Sequence, residues 1–393
     1  MRLSVIIVNY NVAAFTAVAV RALLRAEVAG GLEVFVVDNA STDGSAERLA
    51  ALFPAKDFPQ VHHLPQQENL GFGRANNLAA RRAKGDYILF LNPDTLPSEH
   101  LPARLLAFAD AHPDVGAVGV SMTNDDGTFA PESRRGLPTP WTAFCKMAGL
   151  TALYPRSRRF GHYYMGYLPN DAPHETEVVS GACMMVRNDG RGDWFDPDYF
   201  MYGEDIDLSY RLMQEGKTNW YVPADLVHFK GESTNKTTYR YAHVFYGAML
   251  IFLRKHYPRY AFWLRPFIAA AIWATAAKGW LHGRWADLRY RLSRSGNAPQ
   301  PVPARFVGTH FLEAAAVAEA DGLRLQPADV TTLRDGDTLP AGALDDCELA
   351  VFDTADCAPS AIIRNLKKAA GRVRLALFDP ALRRIVTHGA GGL

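Results

Sequence analysis

Carboxylates stand at three places in this chain where the local pattern gives them chemistry to do. Asp94 follows Tyr87-Ile88-Leu89-Phe90-Leu91, an apolar run bounded by Gly85-Asp86 and by Pro93. That run is too short for a helix and predicts a strand buried on both faces. In open α/β sheets ligands lie just beyond the carboxyl ends of the strands, so Asn92-Pro93-Asp94 is either a ligand-facing loop or a plain turn built from good turn formers. Asp38 directly follows a second apolar run, and a carboxylate there can accept hydrogen bonds from a base imide or a ribose hydroxyl. The third place is Gly203-Glu204-Asp205-Ile206-Asp207, the first turn of a predicted helix. Acids in a first turn complement the helix dipole with no further role. The aromatic residues of Trp194 to Tyr202 just ahead would also desolvate a carboxylate, raise its pKa and suit it to general-base work.

Further polar clusters fall where other strands end. Asn9-Tyr10-Asn11 closes the first strand, and Asp38 opens Asp38-Asn39-Ala40-Ser41-Thr42-Asp43-Gly44-Ser45, in which Asp43 and Ser45 read as helix N-caps. Glu68 to Asn77, with Asn69, Gly71, Arg74 and Asn76, enters a helix through two glycines that permit close backbone approach to a ligand. It matches neither the P-loop nor the dinucleotide fingerprint. Arg134 and Arg135 either meet phosphates or are simply solvated. His228-Phe229-Lys230-Gly231-Glu232-Ser233-Thr234 follows a strand-like Trp220-Tyr221-Val222 and concentrates more chemistry than a lone structural histidine would.

The elements that must position these groups alternate. Strands are expected at Leu3 to Val8, Glu33 to Val37, His62 to Leu64, Tyr87 to Leu91 and Val115 to Val120. Helices are expected at Phe15 to Ala26, Ser45 to Leu52, Gly73 to Ala83 and Leu101 to His112. This order predicts an α/β fold, a mostly parallel Rossmann-like sheet with crossover helices. Periodicity fades from Met122 to about Asn170, which reads as a long loop over one face, a lid or binding element. Glu177 to Arg187 reads as a strand interrupted by Ser180-Gly181-Ala182, the kind of patch where another group comes close.

The bulk numbers exclude some classes. The 42 basic and 41 acidic residues nearly cancel, which argues against nucleic acid as a partner. Four cysteines, at 145, 183, 347 and 357, lack paired metal-ligand spacing and point to a reducing, cytoplasmic compartment. Met1-Arg2 leads straight into a strand, without the cleavage site or longer apolar core of a signal peptide. Residues 254–294 carry nine Lys or Arg against one acid, Asp287, around an uncharged segment, Pro266 to Ala277, too short to span a bilayer. That segment suits either helices lying on an anionic membrane surface or ordinary packing. After a linker-like Ser293 to Pro301, Leu349 to Asp353, Pro359 to Ala370 and Val373 to Phe378 form a strand-helix-strand unit without a catalytic motif. The expected organisation is a catalytic domain at 1–250, a basic and apolar helical segment at 251–295, and a small α/β appendage at 296–393 suited to oligomerisation or partner binding.

Five ordered blocks carry a resemblance. They are Val5-Ile6-Ile7-Val8-Asn9-Tyr10-Asn11, Val37 to Ser45, Asn69-Leu70-Gly71-Phe72-Gly73, Leu91-Asn92-Pro93-Asp94, and Gly203 to Leu208 followed by His228-Phe229-Lys230-Gly231. With them, residues 1 to about 250 resemble the family 2 glycosyltransferases of the GT-A fold, most closely the rhamnosyltransferase-like branch that builds bacterial cell-surface polysaccharides. The resemblance implies a divalent cation, magnesium or manganese, held by Asp94 with His228 as a further ligand and gripping the diphosphate of a nucleotide sugar. The family's motif has two carboxylates, and here Asn92 replaces one of them. Asp38 would meet the nucleoside and Asn9, Tyr10 and Asn11 would border the base. Asn69, Gly71, Arg74, Asn76 and Asn92 would complete the donor side. Asp205 would deprotonate the acceptor hydroxyl for single, inverting displacement, with Glu204 positioning the acceptor. The implied donor is dTDP- or UDP-linked, dTDP-rhamnose first, and the implied acceptor is a cell-surface glycan or a lipid-linked molecule. The rival from another class is an inactive GT-A-like scaffold of a polysaccharide assembly complex, against which the retained Asp94, Asp205 and His228 count.

Overall fold

The structure is a computed structural model that describes residues 1–230, 239–258 and 301–388. Its first half alternates as the apolar runs require: β1 (Leu3–Asn9), α1 (Ala13–Leu24), β2 (Leu32–Asp38), α2 (Ser45–Leu52), β3 (Val61–Pro65), α3 (Phe72–Ala80), β4 (Tyr87–Leu91), β5 (Thr95–Pro97), α4 (Leu101–Ala111) and β6 (Val115–Thr123). There follow α5 (Pro140–Met147), α6 (Leu150–Leu153), β7 (His174–Glu175), β8 (Cys183–Arg187), α7 (Glu204–Gln214), β9 (Thr218–His228) and α8 (Tyr239–His256). The main sheet runs β3-β2-β1-β4-β8-β6-β9-β5, with β7 beside β9. β1 to β4, β6 and β9 all point one way; β5, β7 and β8 oppose them. The sheet is thus mostly parallel, and β1 and β4 are buried at every position, as their largely apolar sequences demand.

Two expectations about this region are corrected. Only Cys183–Arg187 of the segment Glu177 to Arg187 joins the sheet, antiparallel to both β4 and β6. Upstream, Val178 instead exchanges backbone hydrogen bonds with Arg135, at 2.9 and 3.2 Å. The expected long loop after Met122 is also more ordered than its faded periodicity implied. β6 continues to Thr123, a turn closes at Asn124–Gly127, and α5 begins behind Thr139, whose hydroxyl caps it by accepting from Thr142 N–H.

The last part builds its own sheet from β10 (Val302–Val307), α9 (Phe311–Ala320), β11 (Leu323–Pro327), β12 (Leu349–Asp353), α10 (Pro359–Lys368), β13 (Arg374–Asp379) and β14 (Arg384–Thr387), in the order β11-β10-β12-β13-β14. It is docked, not tethered. Phe15, Val18, Leu96, Val227 and Phe229 share one apolar cluster with Ile362, Ile363, Leu366 and Leu377. α1 therefore faces the main sheet through Ala17, Val20 and Leu23 and the second unit through Phe15 and Val18. This explains why its sequence is apolar nearly all round. Across the seam, Glu99 accepts from Ser360 N–H at 2.9 Å and from its hydroxyl at 2.6 Å, a carboxylate on the N-terminus of α10. The basic segment expected at the membrane lies, from residue 259 onward, outside the described residues.

Candidate functional site

The sheet's edge geometry brings two distant residues together. β5 pairs antiparallel with β9 so that Thr95 stands opposite His228, and Phe229 N–H donates to the Asp94 carbonyl at 3.0 Å. Asp94 Oδ1 consequently lies 3.3 Å from His228 Nε2, with Asn92 Nδ2 3.4 Å from the same nitrogen. Asn92 is anchored by its N–H on Ala182 O, where β4 meets β8. The next residue of that chain, Gly181, turns toward α7: its N–H donates to Asp205 Oδ2 at 3.1 Å, and a Cβ at Gly181 would come within 3.3 Å of the Asp205 Cβ. The small patch expected to admit a close neighbour admits this aspartate.

A cleft of about 280 Å³ joins these groups, lined among others by Tyr10, Asn69, Gly71, Asn92, Asp94, Glu204, Asp205 and His228. Within it Asp205 is not a bare carboxylate. Arg135 donates to its Oδ2, and Ile206 N–H donates to Oδ1 at 2.8 Å. Glu204 is its opposite: 7% exposed, with Oε2 lacking a hydrogen-bond partner among the described residues. Burial first, and then the charge of Asp205, push the Glu204 carboxyl up to about 8. Asp207 lies outside the chemistry. Fully buried, it accepts from Arg211 Nε and meets His256 Nε2, each at 2.7 Å, and so ties α7 to α8.

Other expected site residues stay off the cleft wall. Asn9 is buried with its amide spent on Asp38 Oδ1 (2.7 Å), Ser41 and Thr16. Asp38 takes that bond and Ser41 N–H, so it organises the loop after β2. Asn11, at φ 58°, caps the same loop by accepting from Thr42 N–H. Arg74 Nε donates to Pro197 O, and Asn76 bonds back to Phe72 O one helical turn earlier. Gly71 does line the cleft, yet its small size is demanded by protein: a Cβ there would meet Phe200 O at 2.4 Å, at φ +78°. Arg134 is no phosphate ligand, being 2% exposed and donating to Leu168 and Pro169 carbonyls.

Four residues in or beside the cleft escaped the sequence or changed meaning. Glu132 and Lys230 both line it, 2.5 Å apart, and Lys230 also donates to Asn124. Burial pushes the Glu132 carboxyl up, but the Lys230 ammonium more than offsets this, and the net shift is downward. Arg135 serves Asp205. Asn39, unremarked in its loop, bonds Asn69 at 3.0 Å and accepts from Leu70 N–H, joining two walls of the cleft.

The donor set suits a hard or borderline divalent cation. Asp94 Oδ1 and His228 Nε2 converge on the cleft, and rotating the Asn92 amide would present an oxygen beside them. His228 Nδ1 is buried without a hydrogen-bond partner among the described residues, so it is Nε2 that serves this face.

Comparison with known proteins bears on this site. The profile of "Glycosyl transferase family 2" matches residues 4–189. The N-acetylglucosaminyl-diphospho-decaprenol L-rhamnosyltransferase of Mycobacterium tuberculosis is 31% identical over 237 residues, covering 56% of this chain and 74% of that protein. The chain belongs to glycosyl transferase family 2. This glycosyltransferase is also similar to the rhamnosyltransferase WbbL of Escherichia coli, 29% identical over 39% of this chain and 58% of that one. Among solved structures it is similar to the mannosyltransferase PcManGT of Pyrobaculum calidifontis in complex with GDP-Man and Mn2+, at 18% identity and a TM-score of 0.45 over 76% of each chain. The fold is the GT-A fold expected from the sequence, and the relatives lie in its rhamnosyltransferase-like branch.

Proposed function

We propose that this glycosyltransferase moves a rhamnose-type sugar from a nucleoside-diphosphate donor, dTDP- or UDP-linked, to a hydroxyl of a cell-surface glycan or lipid-linked acceptor, with inversion. One observation carries the reading: Asp94 and His228, a metal-capable pair, share a cleft with the buried Glu204 and the oriented Asp205. Asp94 and His228, with Asn92 beside them, would hold a divalent cation, which when bound neutralises charge on the departing diphosphate. Lys230, poised between Glu132 and Asn124, adds positive charge on the same side.

Asp205 then accepts the acceptor hydroxyl's proton as that oxygen attacks the anomeric carbon and the bond to the diphosphate breaks. Gly181 N–H and Arg135 keep its carboxylate aimed until the acceptor displaces the guanidinium. Glu204, protonated at neutral pH, donates a hydrogen bond that orients the acceptor. The four free, buried cysteines agree with a cytoplasmic setting, at the inner face of the membrane where lipid-linked acceptors are available. Among the described residues no helix is long and apolar enough to cross a membrane. The test is Asp205→Asn, assayed for released nucleoside diphosphate over a panel of nucleotide sugars and for nucleotide binding by calorimetry. Turnover should vanish while binding persists; parallel loss of both would remove Asp205 from the base role.

A further inference from the structure

Exposed apolar side chains are concentrated on this surface. Trp141, Phe144, Met147, Leu153 and Tyr154 are 44–67% exposed and all lie on α5 and α6 or immediately after them. Trp141, Phe144 and Met147 recur every third residue along one side of α5, while Thr142 and Cys145 on its other side are buried. Such a patch marks an interaction site far more often than chance exposure. Its charge is one-sided. Residues 140–160 hold Lys146, Arg156, Arg158 and Arg159 and no aspartate or glutamate. The three arginines are exposed, and among the described residues none makes an ion pair. Arg159 lies over the Trp141 ring at 5.5 Å and Arg158 over Tyr167 at 5.4 Å.

This patch also borders a second cavity. Ala143, Lys146 and Met147 line a hollow of about 360 Å³ that continues to Tyr202, Glu204 and Asp205 of the cleft. Met147 belongs to both the exposed face and the hollow's wall.

We infer that the α5–α6 face docks on an anionic lipid bilayer. Trp141, Phe144, Leu153 and Tyr154 would enter the headgroup–acyl boundary, where amphipathic aromatic rings are favoured, while Arg156, Arg158 and Arg159 meet lipid phosphates. The hollow would then open beside the layer from which an amphiphilic acceptor arrives. That last step rests on the acceptor reading above; the docking does not. A second copy of this chain is the weaker occupant, because two such faces apposed would bring like charges together without an acid to balance them.

The experiment uses the full chain and unilamellar vesicles of phosphatidylcholine, with or without about one third phosphatidylglycerol, read by co-sedimentation. The chain should bind the anionic vesicles and bind neutral ones far less. Replacing Arg156, Arg158 and Arg159 together by serine should weaken binding about a hundredfold, at about fivefold per arginine near an anionic surface. The double variant W141S/F144S should lose at least about tenfold, from the withdrawn ring burial. Nucleoside-diphosphate binding, which uses neither set, reports that the variants fold. If the wild-type chain ignores anionic vesicles, or both variants bind them as it does, the inference is overturned. It is equally overturned if the wild-type chain self-associates and W141S/F144S abolishes that instead of vesicle binding. Failure of nucleotide binding in every form, with vesicle binding kept, would strike the donor-site reading alone.

Discussion

Glu204→Gln separates what burial does to this site from what catalysis asks of it. The carboxyl is almost fully enclosed, one oxygen lacks a partner among the described residues, and the neighbouring Asp205 is already charged. Folding therefore lifts its pKa from 4.5 to about 8. Between those values the native chain keeps a proton that the unfolded chain has lost. Stability is highest below pH 4.5 in this respect, falls as pH rises, and levels off above about 8. At about 1.4 kcal/mol per pH unit, the cost is about 3 kcal/mol at pH 7 and on the order of 5 kcal/mol above pH 8. Glutamine keeps the shape and a hydrogen-bond donor but cannot ionise.

Glu204→Gln should accordingly be more stable than wild type by up to about 3 kcal/mol at neutral pH, and its stability should lose this pH slope. Urea unfolding of both proteins across pH 5 to 9 measures the difference. Turnover supplies the second readout: the wild type should decline above about pH 8 as Glu204 ionises beside Asp205, and the variant should not. An unchanged pH slope, or a variant less stable than wild type, would refute the buried, protonated carboxyl. Wild-type turnover that rises through pH 8 would instead make Glu204 the base.

If the proposed site is right, Asp94→Asn and His228→Ala should each abolish cation-dependent binding of nucleoside diphosphate in calorimetry with manganese, because the two side chains converge on one point of the cleft. Ile362→Ala, at a position 1% exposed where α10 meets β5 and β9, should cost about 3 kcal/mol in chemical denaturation. A loss near zero would mean that the second unit is not part of the same core.

What could be read in the sequence was what local pattern encodes. The runs that became β1, β2 and β4 are buried on both faces and so are mostly apolar, and the polar clusters at their ends follow from chain direction. The direction of β8 was not legible, since a five-residue strand looks the same whether its neighbours run with or against it. The cleft divides along the same line. Asp94, Glu204, Asp205 and His228 could be named because each ends or begins an element. Arg135 and Glu132, the partners of Asp205 and Lys230, are set by tertiary approach, and nothing in the spacing of residues 122–170 announces it. Arg74 and Asn76 lie off the cleft wall for a local reason, because a residue that follows a loop motif into a helix takes the helix's facing and not the loop's.

The second unit bears on the proposed site through the same sheet edge that carries Asp94 and His228. Asp94 and His228 depend on the short β5–β9 ladder, whose strands would otherwise form an exposed edge of the main sheet. α10 packs on Leu96 and Val227, the residues of those strands next to the pair, and Lys367 reaches Asp225 at 2.5 Å. Phe229, immediately beyond His228, meets Phe15 of α1 edge to face, ring centroids 5.1 Å apart, within the same cluster. The geometry of Asp94 and His228 is therefore fixed from behind by residues that no motif contains, and an edge strand of three residues can hold a carboxylate in register because a second core covers it.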